Sequence, residues 1–175
     1  YIFEKTKTAK PNNGYPQNPL AKDLRTVATM IKSGLDTRVY YVTVGGFDTH
    51  VNQAMQHKRL LGNYATAFKA FADDLRKAGL WKDVVTMTFS EFGRRVKQNA
   101  SNGTDHGTAN NLFIAGGNLK QPGIFNPAPD LGDLDKGDLK FQIDFRQVYA
   151  ELLQGWLGAR PGEIISGPVK RLGIV

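Results

Sequence analysis

The sequence predicts an α/β fold in which a largely parallel sheet is flanked by layers of helices. Three apolar runs rich in β-branched and aromatic residues predict buried strands, at residues 38–44, 83–89 and 111–115. Segments with the apolar spacing of amphipathic helices precede, separate and follow them. A strand, a helix and a second strand in succession form a βαβ unit with a right-handed crossover. We therefore expect the first two strands to be parallel.

The composition is that of an ordinary globular protein. The chain has 175 residues, of which 41% are hydrophobic and 22% are charged. Such a chain is long enough to bury a core without disulfide bonds, and its composition excludes wholesale disorder. No apolar run approaches the roughly 18 to 20 residues that cross a bilayer, so we expect no membrane span.

The first part of the chain predicts an arm followed by a helix. Residues 1–19 are rich in Pro and Asn and predict an extended arm, and residues 20–175 predict a single α/β domain that is part of a larger one. Apolar residues at helical spacing predict the first helix over residues 20–33. Gly34 is expected to end it in the left-handed conformation.

Two further helices are predicted between and after the strands. An apolar stripe predicts a long helix over residues 52–78, closed by Gly79. The last helix is predicted over residues 144–157, with Asp144 at its N-terminus as cap or first-turn acid. A polar loop, residues 94–110, is expected to connect the second strand to the third.

Charge and cysteine content restrict the chemistry. The 23 Lys and Arg residues exceed the 16 Asp and Glu residues, but they are scattered along the chain. This favours a solvated surface that attracts anionic substrates over a nucleic-acid interface. The absence of Cys excludes zinc fingers, iron–sulfur ligation, thiol catalysis and disulfide scaffolds. Any metal must be bound by His, Asp, Glu, amide or hydroxyl groups.

Residues with metal-binding chemistry lie next to the predicted strands. Asp48 and His50 follow the first strand, Glu91 follows the second, and Asp105 and His106 precede the third. Ligands in open α/β sheets bind beyond the carboxyl ends of the strands, so we expect these five residues to meet in one pocket. Their nitrogen and oxygen donors suit a divalent metal such as Zn, with Mn, Mg or Ca as alternatives.

Each acidic residue also has a purely structural alternative. Asp48 could cap the following helix, Asp105 could form an Asx turn, and Glu91 could pair with Arg94 or Arg95. The two arginines have alternatives of their own, since they could bind the oxygens of a phosphate or sulfate or form a solvated basic turn. The occurrence of all the acids at one predicted sheet edge favours a site.

Other catalytic and nucleotide-binding motifs are missing from the sequence. His57 falls within the long helix, where we expect a surface or pocket-lining imidazole. No G-x-S-x-G nucleophile elbow is present, which argues against a serine-hydrolase triad. The paired glycines at 45–46 and 116–117 match neither a Walker loop nor a G-x-G-x-x-G motif, so nucleotide binding lacks support.

Four motifs in order resemble one protein family. They are Gly-Gly-Phe-Asp-Thr-His at 45–50, Ser-Glu-Phe-Gly-Arg-Arg at 90–95, Gly-Thr-Asp-His-Gly at 103–107 and Asp-Phe-Arg-Gln-Val-Tyr at 144–149. From about Tyr15 onward the chain resembles the DUF1501 family of bacterial proteins of unknown function. It looks like the C-terminal portion of a family member.

The resemblance implies more about fold, location and site. The family is similar in fold to the alkaline phosphatase and sulfatase superfamily, and many members carry twin-arginine signals, which implies a periplasmic or secreted protein. In that superfamily a two-metal site activates a nucleophile. By position, Asp48 and His50 look like the first ligand pair and His106 like the last histidine. Ser90 and Glu91 stand where the superfamily has Asp-His, a departure that removes one imidazole ligand.

The function that we expect is metal-assisted hydrolysis of phosphate or sulfate esters, with Arg94 or Arg95 stabilising the charge of the transferred group. The alternative is a non-catalytic secreted binding protein that retains the fold and an anion or glycan pocket, which the Ser90-Glu91 departure favours. Because the chain begins without Met and lacks an activated nucleophile, we expect it to require an N-terminal portion, a second chain or an oligomer contact.

Overall fold

The computed structural model describes residues 1–7, 9, 12–166 and 170–175. They belong to two compact units. The first unit comprises Tyr1–Val84 and Asn99–Gly103, and the second comprises Val85–Gln98 and Thr104–Val175.

The first unit is built from helices. Its elements are α1 (Ile2–Thr6), α2 (Pro19–Lys32), α3 (Gln53–Lys77) and a 3-10 turn at Trp81–Asp83. The helices predicted over 20–33 and 52–78 are thus present to within a residue or so at each end. Asn18 caps α2 by accepting a hydrogen bond from the Ala21 N–H. Gly34 follows α2 with φ 66°, the left-handed conformation expected of it.

The core of the first unit lies between α2 and α3. Small residues let the helices approach closely, and larger ones fill the space around them; the buried set is Tyr15, Leu20, Ala21, Ala28, Ala67, Phe71 and Leu75. One polar cluster lies within this core. Asp74 accepts hydrogen bonds from Lys32 Nζ at 2.9 Å and from the Tyr15 hydroxyl at 3.2 Å. Burial, together with the negative charge of Asp74, raises the pKa of Tyr15.

In its described residues, the second unit contains three small sheets and an α-helix of 11 residues. The strands are β1 (Val85–Thr88), β2 (Gly93–Arg94), β3 (His106–Gly107), β4 (Phe113–Gly116), β5 (Leu134–Asp135) and β6 (Asp138–Leu139). They pair as β1 with β4, β2 with β3 and β5 with β6, and every pair is antiparallel. Helix α4 (Phe145–Gly155) follows, and a 3-10 turn forms at Pro161–Glu163.

The layered, largely parallel sheet predicted from the sequence is wrong, and so is the alkaline phosphatase and sulfatase fold that the resemblance implied. Residues 38–44 are assigned to no strand, and Val39 and Tyr41 are 66% and 77% exposed. The other two predicted strands do form, but Thr86 lies opposite Ala115 and Met87 opposite Ile114 in an antiparallel ladder. β-branched residues favour extended backbone wherever they occur, and they specify neither a partner strand nor its direction.

The segment between β1 and β4 explains why these strands are antiparallel. Residues 94–110 were predicted as a loop, but His106 pairs with Arg94 and Gly107 pairs with Gly93, just before that range. The chain therefore turns back on itself before it reaches β4. Parallel neighbours need a crossover connection, whereas a segment that doubles back delivers the next strand in the opposite direction.

The start of α4 confirms the predicted role of Asp144. Its carboxylate accepts a hydrogen bond from the Arg146 N–H, and the Gln147 side chain accepts one from the Asp144 N–H, which completes a capping box. Glu151, in the middle of this helix, is fully buried. Among the described residues, the helices are too short or too polar to cross a bilayer.

Candidate metal centre

The first half of the predicted ligand set lies on the turn between residue 45 and α3. Asp48 Oδ1 lies 3.4 Å from His50 Nδ1, and the two side chains are 66% and 46% exposed. A carboxylate and an imidazole two residues apart thus face solvent together. Both groups are metal ligands of ordinary type. The predicted structural alternative for Asp48, a helix cap, does not apply, because Asn52 occupies the N-cap position of α3.

The residue between the two exposed side chains points into the protein. Thr49 is 6% exposed. Its Oγ1 lies 2.9 Å from His57 Nε2 and accepts a hydrogen bond from Gln53 Nε2 at 3.1 Å. The His57 ring also packs edge-on against the Phe47 ring, with ring centroids 5.5 Å apart and an interplanar angle of 69°. Helix α3 therefore contacts the turn on both sides of Asp48.

A second segment of the first unit closes over this turn. The Asn99 side-chain amide donates to the His50 carbonyl at 3.1 Å. The same side chain organises its own loop, since its Oδ1 accepts from the Ser101 and Gly103 N–H groups. The carbonyls of that loop in turn satisfy the first free N–H groups of α3: Ser101 O accepts from Asn52 N–H and Asn102 O from Gln53 N–H, each at 3.0 Å.

Gly103 of this loop has no room for a side chain. A Cβ at this position would lie 2.5 Å from the His50 carbonyl carbon. The first glycine of the Gly-Thr-Asp-His-Gly motif is thus explained by close approach of two backbone segments.

The second half of the predicted ligand set lies in the second unit. His106 is exposed on β3, and its ring stacks on Phe92 with centroids 4.1 Å apart and planes 10° from parallel. Asp105 directly precedes β3, and its carbonyl accepts a hydrogen bond from the Arg95 N–H at 3.0 Å. Glu91 is exposed in the turn before β2. The meeting of Asp48 and His50 with these three residues stays a prediction.

Arg94 and Arg95, the predicted charge-stabilising pair, make structural contacts within the second unit. Arg94 Nη1 donates to the Thr104 carbonyl at 2.7 Å, and the guanidinium lies 5.1 Å from the centre of the Phe92 ring. The Arg95 guanidinium donates to the Lys136 carbonyl, and its Nε lies 3.5 Å from Asp138 Oδ1.

Sequence reasoning assigned no part in the site to Thr49 or Asn99, and it expected His57 only as a surface or pocket-lining imidazole of the long helix. Thr49 and His57 do have a local signal. Gln53 and His57 are four residues apart, which places both on one face of the first two turns of α3. Thr49 precedes Gln53 by four residues, so this face lies above it. Asn99 offers no such signal, because its partner lies 49 positions earlier in the chain.

The four ordered motifs lie within the part of the chain that matches a known family model. The chain belongs to the DUF1501 family. The family model, described as a protein of unknown function, matches residues 5–159. Neither a curated protein nor a solved structure matched the chain. All the candidate ligands and both arginines of this DUF1501 protein fall within the matched range.

Proposed function

We propose that the chain is a metal-assisted hydrolase of phosphate or sulfate esters, in which Asp48 and His50 bind a divalent metal ion. The observation that carries the proposal is the exposed Asp48–His50 pair, 3.4 Å apart, on a turn whose intervening residue is buried and hydrogen-bonded. Ligands held in place before the ion arrives lose little conformational freedom on binding.

His106 is the third ligand of the proposal. It follows Gly103 by three residues, so the covalent chain keeps its Cα within about 11 Å of the Gly103 Cα. Gly103 itself lies against the backbone of His50. The stack of His106 on Phe92 restricts the imidazole to few orientations, which is what a ligand position requires. Glu91 and Asp105 are the further oxygen donors that we expect to contribute.

The donor set fits a borderline or hard divalent ion. Two imidazoles and one or more carboxylates are ligands of Zn²⁺ and Mn²⁺, and soft thiolate ligands are missing from the sequence. When bound, such an ion acts as a Lewis acid and lowers the pKa of a bound water.

The residues of the chain supply the rest of the reaction. Water adds to phosphorus or sulfur, the bond to the ester oxygen breaks, and the leaving alcohol takes up the proton that the water loses. Arg94 or Arg95 stabilises the charge that develops on the non-bridging oxygens of the transferred group. The proposal includes export to the periplasm or secretion, which cell fractionation tests.

Elemental analysis and calorimetric titration with Zn²⁺ test the metal centre. We expect stoichiometric binding by the wild-type chain and at least a tenfold loss of affinity in Asp48→Asn and in His106→Gln. Asp83→Asn is the matched control, since Asp83 is also an exposed acid of the first unit, with 58% of its side chain accessible. Its affinity should equal that of the wild type.

Hydrolysis of aryl phosphates and aryl sulfates tests the reaction. Turnover that depends on added metal and falls in Asp48→Asn supports the hydrolase. A wild-type chain that binds no metal in stoichiometric amount and hydrolyses neither ester refutes it, and favours the binding protein with an anion or glycan pocket.

A further inference from the structure

The buried side of the turn that carries Asp48 and His50 is a hydrogen-bonded network with no role assigned so far. Thr49 is 6% exposed, while the residues before and after it are both exposed. Any movement of Thr49 would therefore move both candidate ligands at once. The groups that hold Thr49 are candidates for control of the metal centre.

Helix α3 holds this residue through two side chains one turn apart. Gln53 Nε2 donates to Thr49 Oγ1 at 3.1 Å, and His57 Nε2 lies 2.9 Å from the same oxygen. Either tautomer of His57 can form this bond, because the Thr49 hydroxyl can donate to Nε2 or accept from Nε2–H while it also accepts from Gln53.

His57 makes a second contact that flanks the candidate ligands. Its ring packs edge-on against Phe47, so the same imidazole touches residues 47 and 49. Asp48 lies between them in the chain. One helix side chain thus holds the turn from both sides of the carboxylate.

We propose that Thr49 and His57 are positioning residues of the metal centre, whose hydrogen bond sets the spacing of Asp48 and His50. This inference rests on the proposed function. Side chains that orient metal ligands without touching the metal typically contribute 10- to 100-fold to metal affinity. Neither residue needs to reach the ion or the substrate.

Two matched pairs of variants isolate the hydrogen bond. Thr49→Val keeps the shape of the side chain and removes the hydroxyl, while Thr49→Ser restores a hydroxyl. His57→Phe keeps a ring and removes Nε2, while His57→Gln keeps a polar atom on a side chain of similar reach. Thr66→Val is the control, because Thr66 is an exposed residue of α3 whose hydroxyl donates to carbonyls of the preceding turn.

The readouts are Zn²⁺ affinity by calorimetry and the visible absorption of bound Co²⁺, which reports ligand number and geometry. We expect Thr49→Val and His57→Phe to bind Zn²⁺ 10- to 100-fold more weakly and to change the Co²⁺ bands. Thr49→Ser, His57→Gln and Thr66→Val should stay within a few-fold of the wild type.

The outcomes separate this inference from the proposed function. If the wild type binds metal, Asp48→Asn weakens binding and both Thr49→Val and His57→Phe keep wild-type affinity and spectrum, the positioning role is refuted and the metal centre stands. A purely structural role would lower the melting temperature of Thr49→Val and leave the Co²⁺ spectrum unchanged, which also refutes it. If the wild type binds no metal, both proposals fail. If Thr49→Val does not fold, the His57 pair decides.

Discussion

Substitution of Gly103 by Ala tests whether the Asn99–Gly103 loop holds the turn of the candidate metal centre. The added Cβ would lie 2.5 Å from the His50 carbonyl carbon, whereas ordinary contacts of a Cβ begin at 3.4 Å. The obstacle is backbone, so the loop and the turn must separate by about 1 Å. Three hydrogen bonds of 3.0 to 3.1 Å join them, from Asn52 N–H to Ser101, from Gln53 N–H to Asn102 and from the Asn99 amide to His50.

Separation by that distance breaks these bonds, since an N···O distance beyond about 3.5 Å is no longer a hydrogen bond. Each contributes about 1 kcal/mol, so we expect Gly103→Ala to lose about 3 kcal/mol of the free energy of unfolding. The assay is urea denaturation followed by far-ultraviolet circular dichroism. Zinc affinity, measured in parallel, should fall with it.

Gly62→Ala is the control for this substitution. A Cβ at Gly62, inside α3, would meet no atom within 4 Å, and alanine is the better helix former by about 1 kcal/mol. The same chemical change should therefore stabilise the protein at one position and destabilise it at the other. If Gly103→Ala unfolds at the urea concentration of the wild type and binds zinc as tightly, the loop does not hold the turn.

Two further predictions concern buried charges. Burial raises the pKa of Glu151, but hydrogen bonds from Arg171 and from backbone N–H groups outweigh it and lower the pKa from 4.5 to about 2. Stability from this carboxylate is therefore fully present above about pH 4.5 and is lost as the pH falls toward 2; the shift corresponds to about 3 kcal/mol. Urea denaturation from pH 7 to 2 should show this loss in the wild type and a flatter profile in Glu151→Gln, and equal slopes would contradict it. Lys32→Met should cost about 3 kcal/mol because it leaves the buried Asp74 carboxylate without its ammonium partner. Lys32→Met with Asp74→Asn should recover part of that loss. A single variant as stable as the wild type would show that the ion pair contributes nothing.

The helices could be predicted because their signals are local. Gly34 and Asp144 mark an end and a start through backbone conformation and capping, which involve residues a few positions apart. The apolar stripe of α3 is likewise contained within the helix. Such features depend little on the rest of the chain.

The sheet could not be predicted in the same way. Residues 38–44 have strong strand propensity, yet they form no ladder in the part of the chain that the structure describes. For β1 and β4 the strands were located and their direction was wrong, because direction depends on how residues 94–110 fold. That segment has no periodic pattern, and its turn-back depends on glycines at contacts between distant backbone segments.

In the candidate site too, the features encoded locally could be predicted, and those that depend on tertiary contacts could not. The exposed Asp48–His50 pair follows from two residues in one turn, so the sequence was sufficient to indicate it. Thr49 lies between them and was assigned no role, since its burial depends on where α3 begins. The contribution of Asn99 is a tertiary contact that no local pattern reveals.

The glycines of the motifs limit how the sequence can change. A Cβ at Gly93 would lie 2.6 Å from the Ala109 carbonyl carbon, and one at Gly107 would lie 2.6 Å from that of Arg94, much as at Gly103. In each case the atom in the way belongs to the main chain, which every residue type shares. A second mutation cannot make a carbonyl smaller in the way that Leu→Ala makes room in a core. Suppressor screens starting from Gly→Ala at these three positions should therefore recover mainly true revertants.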